Sequence, residues 1–284
     1  MLRSILRERL IDFLREDTGM GDLTTETVVP AEVRVEAHIV VNEPAVIAGL
    51  YETSILFEIV EAEFKAEVED GAEVSAGTII AEINGSGRAI LSAERTALNI
   101  LMRMSGIATL TRKLVSMIRR EGLDVRVAAT RKTVPGLRYF DKRAVAIGGG
   151  DTHRFRLDDA ILIKDNHIRI AGGVGEAIRR ARSAISFSKK LEVEVKTVCE
   201  ALEAAKAGAD IIMLDNMSVG EVEEAIRSLR DEGLRDRVLI EVSGGIDEGN
   251  ILEYARLKPD VISLGFLTHS VRAVDMSLEV KRIY

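Results

Sequence analysis

The chain has few of the residues that stabilise secreted or membrane proteins. It contains one cysteine, Cys199, no tryptophan and four prolines in 284 residues. A single cysteine cannot form an internal disulfide, which favours a reducing, cytoplasmic setting. No uncharged run reaches the roughly 18 residues that a membrane-spanning helix needs. The first residues interleave charges with leucines, unlike a signal peptide. These absences argue against the disulfide-stapled and transmembrane classes.

Length and charge leave two architectures open. With 284 residues, the chain exceeds the usual size of one domain, so two domains or one large α/β barrel are expected. The formal net charge is −7, and the excess cations are confined to one stretch. This distribution argues against a nucleic-acid surface and favours a small anionic ligand.

The first third of the chain mixes helical and strand patterns. Leucines at helical spacing predict a surface helix at 2–16, and a loop follows as far as Pro30. Alternation predicts a strand at 33–41, then a helix at about 49–60 and short Gly-turned strands at 64–91. Ser92 is expected to cap two helices that break at Gly106 and stop at Gly122. Arg95 would then lie near the positive end of a helix, where an anionic partner would stabilise it.

From Val125 onward the pattern becomes a repeat. Six apolar runs recur, most of them followed by amphipathic helical segments, at 125–130, 160–163, 191–195, 210–214, 238–242 and 260–264. Thr197 with Glu200, and Ser218 with Glu221, each form the capping box that opens a helix. This alternation predicts a parallel sheet covered on its outer face. Only six strands are clear, so we expect an open barrel.

One stretch of the chain is strongly basic. Between Thr130 and Lys164, eight Lys or Arg stand against four acids, a formal balance of +4. Extended to Ile168, the stretch also holds two of the four histidines, a Pro-Gly turn and a Gly-Gly-Gly run. Guanidinium forks match carboxylate and phosphate geometry, so the stretch is expected to bind an anion. A solvated basic face with salt bridges is the alternative.

Polar residues collect at the predicted strand ends, where barrels place their chemistry. Glu194 and Asp215 end consecutive strands and could hold a hydrated Mg²⁺, or serve only as structural caps. The later loops SGGI and GFLTH offer backbone N–H groups for a phosphate, although a tight turn explains Gly-Gly equally well. Together the features indicate transfer of a phosphorylated sugar to or from an anionic acceptor. Two other readings stay open: a Schiff-base aldolase using Lys164, and a non-catalytic carrier suggested by the sheet at 64–91.

Ten motifs in this order carry a specific resemblance: GDLTTE, ERTALNIL, TRKTVPGLR, DKRAV, GGGDTHR, LIKDNHI, EVEV, IMLDN, EVSGGI and SLGFLTHS. Over nearly the whole chain, the sequence resembles the quinolinate phosphoribosyltransferase family. The resemblance implies an N-terminal α/β sandwich domain at 1–105, an open α/β barrel at 106–270, and a tail at 271–284 that packs back on the first domain. It also implies a homodimer with shared active sites, which leaves a higher oligomer open.

The resemblance implies a reaction as well. Quinolinate and phosphoribosyl pyrophosphate would give nicotinate mononucleotide, pyrophosphate and CO₂ in NAD biosynthesis, with Mg²⁺ and no organic cofactor. A paralogue of the same fold acting on another acceptor, such as the molybdenum-transport-associated relatives, is the close alternative. The full cationic set of the chain argues against that alternative.

The resemblance assigns roles to individual residues. The quinolinate-binding set is Arg131, Lys132, His153, Arg154 and Lys164, with Arg95 supplied by the partner subunit. The phosphoribosyl pyrophosphate set is Glu194, Asp215, Ser243, Gly244, Gly245, Gly265 and His269. Glu194 and Asp215 would also hold Mg²⁺, directly or through water. Catalysis would fall to Lys132, Lys164, Glu194 and Asp215.

Overall fold

The computed structural model describes residues 1–284 and divides the chain into two units. Unit 1 comprises Met1–Arg112, Tyr139–Gly149 and Val271–Tyr284, and unit 2 comprises Lys113–Arg138 and Gly150–Ser270. The sequence-based boundary at 105/106 therefore differs from the structural one, which falls seven residues later, inside a long helix. The segment 139–149, assigned to the barrel from sequence, belongs to unit 1.

The elements up to the end of that helix are, in chain order, α1 (Arg3–Thr18), α2 (Leu23–Val28), β1 (Arg34–Val41), β2 (Ala45–Val46), α3 (Leu50–Ile59), β3 (Glu63–Ala66), β4 (Glu73–Val74), β5 (Ile79–Ser86) and α4 (Gly87–Arg120). The remaining elements are β6 (Arg126–Ala129), α5 (Arg138–Ile147), β7 (Ile161–Ile163), α6 (Asp165–Ala171), α7 (Val174–Ala184), β8 (Leu191–Val195), α8 (Val198–Ala207), β9 (Ile211–Asp215), α9 (Val219–Asp231), β10 (Leu239–Ser243), α10 (Ile251–Ala255), β11 (Val261–Leu264), α11 (Phe266–His269) and β12 (Met276–Ile283).

Unit 1 is built on a four-stranded antiparallel sheet. Its strand order is β12-β1-β5-β3, so the C-terminal strand pairs with the first strand of the chain. The alternation of β1 buries one face of that strand, at Val35, Ala37, Ile39 and Val41. Helix α1 packs against α3 and buries three leucines of the predicted stripe, Leu6, Leu10 and Leu14.

Two sequence-based expectations for unit 1 are wrong. The segment before Pro30 contains helix α2 rather than a loop, because the Asp22 carboxylate accepts a hydrogen bond from the Thr25 N–H and caps the helix. The predicted break at Gly106 is absent, since α4 runs unbroken from Gly87 to Arg120. Gly106 instead lets the chain approach closely: a Cβ there would lie 2.1 Å from the Arg272 carbonyl oxygen.

The unbroken helix also changes the argument for Arg95. Because α4 begins at Gly87 and not at a Ser92 cap, Arg95 lies in the third turn, beyond the reach of the positive helix end. The dipole argument for an anionic partner therefore fails. Arg95 remains exposed to solvent.

Unit 1 contains two sets of buried ion pairs. The Arg103 guanidinium donates to both oxygens of the fully buried Asp141, at 2.8 and 2.9 Å. Arg143 lies 2.8 Å from the fully buried Glu52 carboxylate and 3.2 Å from Asp70. Arg143 of the basic stretch is therefore paired with acids inside unit 1, and so is Arg103, which lies outside the stretch.

Unit 2 is an open barrel. Its six parallel strands lie in the order β6-β11-β10-β9-β8-β7, so β6 and β7 are the two edges and the sheet does not close. All six predicted apolar runs form these strands, which confirms the predicted α/β class and the open barrel. Ser218 and Glu221 form the expected capping box at α9. None of the helices has the length and apolarity needed to cross a lipid bilayer.

Candidate active site

A cavity of about 420 Å³ opens at the carboxyl ends of the unit 2 strands. Parallel strands bring their ends to one edge, which is why residues distant in sequence converge there. Two levels of the sheet are in register: Glu194, Met213 and Glu241 lie side by side at one level, and Asp215 and Ser243 at the other. The lining residues are Ala129, Thr130, Arg131, Lys132, His153, Arg154, Leu162, Lys164, Glu194, Met213, Asp215, Asn216, Glu241, Ser243 and Ser263.

Four of the eight cations of the basic stretch line this cavity: Arg131, Lys132, Arg154 and Lys164. The other four do not line it. Arg138 donates to the Thr133 hydroxyl and the Phe155 carbonyl, and Arg156 pairs with Asp158 on the surface. Lys142 and Arg143 belong to unit 1, where Lys142 is fully buried. The stretch is therefore neither a plain solvated face nor wholly a binding site.

The two guanidinium groups of the cavity lack matched acids. The buried Nε of Arg131 has no hydrogen-bond partner. Burial, and then repulsion by Arg131, lower the pKa of Arg154. One Arg154 nitrogen donates to the Ala160 carbonyl at 3.1 Å. Two like charges close together in a cavity are stabilised by an anion with two acceptor groups, because each guanidinium can fork onto one carboxylate.

His153 sits between two buried carboxylates. Its Nε2 lies 3.2 Å from a Glu241 oxygen and 3.3 Å from a Glu192 oxygen, and both glutamates are 1% exposed. Burial acts to lower the pKa of His153, but the hydrogen bonds to the two carboxylates outweigh burial and raise the pKa to about 10. Burial also raises the pKa of Glu192. The cluster therefore holds protons tightly.

The backbone opposes a second proton on the His153 ring. The Arg154 N–H donates to Nδ1 at 2.8 Å, and a doubly protonated ring would turn an N–H toward that donor. The two carboxylates thus favour a doubly protonated ring, whereas the Arg154 N–H favours a ring whose Nδ1 carries no proton. We take the Arg154 N–H to determine the protonation of the ring, because the covalent chain fixes the position of this donor. The ring then carries its proton on Nε2, and any further proton of the cluster lies on a carboxyl.

The acidic side of the cavity is formed by Glu194 and Asp215. The Lys164 ammonium forms a close ion pair with Glu194, and Asp215 accepts a hydrogen bond from the Asn216 amide at 3.0 Å. An ammonium held by a carboxylate is not a nucleophile, so the structure does not favour a Schiff-base role for Lys164. Two carboxylates beside a space open to water are the donor set that Mg²⁺ prefers.

The two glycine-rich loops adjoin this cavity. Gly244 has φ +89°, and a Cβ there would lie 2.4 Å from the Asn216 side-chain oxygen, so only glycine fits. A Cβ at Gly265 would lie 2.9 Å from Lys132 Cδ and 3.2 Å from His269 Nε2. These positions bring the backbone close to cavity-lining side chains. Ser243 donates to the Ser263 carbonyl at 3.3 Å.

Eight of the site residues predicted from sequence line the cavity: Arg131, Lys132, His153, Arg154, Lys164, Glu194, Asp215 and Ser243. Gly244, Gly245, Gly265 and His269 are not among the lining residues. Gly244 and Gly265 nevertheless lie beside two lining side chains, those of Asn216 and Lys132. Arg95 belongs to unit 1.

Sequence reasoning missed Glu192 and Glu241. Both stand inside apolar runs, LEVEV and VLIEV, whose pattern predicts plain core strands. The signal that identifies them is spacing: in a strand, residues two apart share a face, so Glu192 shares the inward face with Glu194.

Comparisons with known proteins identify relatives of this chain. Residues 22–105 match the N-terminal domain of quinolinate phosphoribosyl transferase, and residues 107–279 match its C-terminal domain. A probable nicotinate-nucleotide pyrophosphorylase (carboxylating) of Methanocaldococcus jannaschii is 50% identical over 285 residues, covering 99% of each chain. The corresponding protein of Methanothermobacter thermautotrophicus is 46% identical, again covering 99% of each chain.

Solved structures give the same result. NadC from Streptococcus pyogenes superimposes with a TM-score of 0.91 at 39% identity, covering 100% of this chain and 98% of that one. The nicotinate-nucleotide pyrophosphorylase from Francisella tularensis gives 0.91 at 36% identity, covering 99% and 98%. With both domain models matched in order, and with relatives this similar over their full lengths, the chain belongs to the quinolinate phosphoribosyltransferase family.

Proposed function

We propose that this chain transfers the phosphoribosyl group of phosphoribosyl pyrophosphate to quinolinate, with loss of CO₂, and so forms nicotinate mononucleotide and pyrophosphate. One observation carries the proposal: Arg131 and Arg154 meet in one cavity without matched acids, beside a second side formed by Glu194 and Asp215. Quinolinate has two carboxylates for the cationic side. The donor has ribose hydroxyls and phosphates for the other.

The cationic side orients the acceptor. Arg131 and Arg154, with Lys132 and Lys164, bind the two carboxylates and direct the ring nitrogen toward the anomeric carbon of the donor. The nitrogen is a weak nucleophile beside a carboxylate, so orientation supplies much of the rate. Lys164 must leave Glu194 to reach the acceptor, which frees the carboxylate for the donor.

The acidic side and the glycine loops bind the donor. Glu194 and Asp215 would lie near the ribose hydroxyls and would hold Mg²⁺, directly or through water, because carboxylates fit that ion. When bound, Mg²⁺ stabilises the negative charge of the departing pyrophosphate. Gly244, Gly245 and Gly265, with Ser243 and His269, bind the 5-phosphate through backbone N–H groups and side-chain donors.

Loss of CO₂ follows the transfer. The new bond between ring nitrogen and ribose makes that nitrogen positive. The bond from the ring to the 2-carboxylate then breaks, its electron pair stays on the ring carbon next to the positive nitrogen, and a proton from water replaces the carboxylate. No covalent enzyme intermediate and no organic cofactor are needed.

The complete site requires a second copy of the chain. By family membership, Arg95 of one subunit completes the acceptor pocket of its partner in a homodimer. Its exposure on α4 supports this role, because a buried arginine could not reach another chain. Arg95→Ala and Arg131→Ala are each expected to lose most of the activity, and heterodimers that contain one of each should regain part of it. Absence of any regain would contradict a shared site.

The proposed reaction is tested by its products. Purified protein with quinolinate, phosphoribosyl pyrophosphate and Mg²⁺ should release CO₂ and pyrophosphate in equal amounts, and neither without the donor. An enzyme that consumes the donor without releasing CO₂ would instead be a paralogue acting on another acceptor.

A further inference from the structure

Glu192 and Glu241, the two buried carboxylates beside His153, have no assigned task in the reaction proposed above. Glu192 lies on β8 and Glu241 on β10, with β9 between them, and His153 reaches both from the segment between α5 and β7. One oxygen of each glutamate, Oε1, is buried without a hydrogen-bond partner. Burying two carboxylates under a cavity is costly, so the arrangement calls for a reason.

A metal ion is not that reason. Two carboxylates and an imidazole nitrogen form a possible ligand set, because the three ligand atoms lie within 4.8 Å of one another. A metal on Nε2 would leave the ring proton on Nδ1, and metal-bound histidines donate that proton to an acceptor. Here Nδ1 instead faces the Arg154 N–H donor at 2.8 Å. Nε2 therefore carries a proton, and this proton lies between the two carboxylates, where a metal ion would have to bind.

The histidine in turn fixes the backbone that carries Arg154. His153 has φ 50°, a left-handed conformation that is strained for a residue with a side chain. Two contacts hold it: the His153 N–H donates to Asp151 at 2.7 Å, and the Arg154 N–H donates to Nδ1. Nδ1 can accept only while the ring proton stays on Nε2, which is where Glu192 and Glu241 draw it.

We propose that Glu192 and Glu241 are positioning residues: they fix His153 as its Nε2–H tautomer, and this tautomer sets the direction in which Arg154 meets a carboxylate of the acceptor. The inference rests on the proposed function. Both ring nitrogens of His153 are already engaged by the Arg154 N–H and the two carboxylates, so His153 orients Arg154 and does not itself bind the acceptor. The Glu192 carboxylate also places negative charge near Arg154, which offsets part of the repulsion from Arg131.

The test compares leucine and glutamine at both glutamates. Glu192→Leu and Glu241→Leu remove the acceptor, and each should raise the KM for quinolinate about ten-fold to a hundred-fold while the donor KM changes less than about two-fold, because only the acceptor arginine is displaced. Glu192→Gln and Glu241→Gln keep an oxygen that accepts from Nε2–H and should restore most of the affinity. Val193→Ala, on the same strand but the opposite face, is the matched control and should leave both KM values unchanged.

A spectroscopic readout separates positioning from simple destabilisation. Nitrogen NMR of the His153 ring should show protonated Nε2 and unprotonated Nδ1 in the wild type and in the glutamine variants. Protonated Nδ1, equal KM increases for both substrates in the leucine variants, or a stoichiometric metal lost on Glu192→Leu would each overturn the proposal. If the leucine variants do not fold, the wild-type tautomer and metal content decide alone. Failure of the proposed function is distinct, since the wild type would then release no CO₂ from quinolinate.

Discussion

Unit 1 and the cavity of unit 2 use charge in opposite ways, although one basic stretch supplies both. In unit 1, Arg103 donates two hydrogen bonds to Asp141. Arg143 forms ion pairs with Glu52 and Asp70. In the cavity, Arg131 keeps a buried nitrogen without a partner and raises the energy of the charge on Arg154. The difference is whether each guanidinium forms an ion pair with an acid of the chain.

This difference separates folding from binding. A buried ion pair contributes little stability compared with an apolar replacement of both residues. Removing only one partner is strongly destabilising, because the other charge stays buried and unpaired. Two neighbouring cations without paired acids destabilise the protein when no ligand is bound, and a bound anion removes that destabilisation. Mutations in unit 1 should therefore reduce stability, and mutations in the cavity should reduce activity.

The largest effect is expected from Asp141→Ala in unit 1. The change strands the Arg103 guanidinium beside a buried space, and losing one partner of a buried pair costs about 3–5 kcal/mol in the free energy of unfolding. Denaturant unfolding followed by circular dichroism measures the change. A loss below about 1 kcal/mol would mean that the pair is not needed for the fold.

A smaller effect of another kind is expected from Arg131→Ala in the cavity. Loss of one charge-assisted contact to the acceptor costs about 2–4 kcal/mol, which lowers kcat/KM for quinolinate roughly thirty-fold to a thousand-fold. The unfolding free energy should fall little or rise, since repulsion with Arg154 disappears. Steady-state kinetics beside denaturant unfolding reports both. A stability loss like that of Asp141→Ala would erase the contrast between the two regions.

The smallest effect is expected from Arg156→Ala, which serves as the control within the same stretch. Arg156 pairs with Asp158 at 3.2 Å on the surface, where both side chains are mostly exposed. Exposed pairs of this kind contribute about 0–1 kcal/mol. Unfolding free energy and kcat/KM should both stay near wild-type values. A large change in either would show that the loop at 155–159 takes part in the site.

Most of the fold could be predicted from local pattern. The six strands of unit 2 follow from runs such as LEVEV, and the α9 start follows from Ser218 and Glu221. Gly106 shows where such prediction fails, because a glycine that admits the Arg272 carbonyl looks, in sequence, like a helix break. The placement of 139–149 in unit 1 depends on contacts such as Arg103 with Asp141, which no local pattern records.

The site was predictable wherever chemistry stands at a strand end. Lys164, Glu194 and Asp215 follow their strands directly, and the structure places all three on one cavity. Glu192 and Glu241 were not found because an acid within an apolar run is normally compatible with a strand face toward solvent. Which face points inward depends on how the sheet curves. Sequence could not divide the eight cations either, since only folding shows which ones meet an acid.

The central claim is that the cavity binds two carboxylates on one ring, and the direct test is pyrophosphate release with quinolinate against nicotinate as the acceptor. Nicotinate lacks the 2-carboxylate, so part of the cationic side would stay unpaired. A site built for a substrate group rejects an analogue without it by roughly 10⁴-fold or more. The account predicts such a ratio of kcat/KM in favour of quinolinate. Comparable turnover of the two acceptors would contradict it.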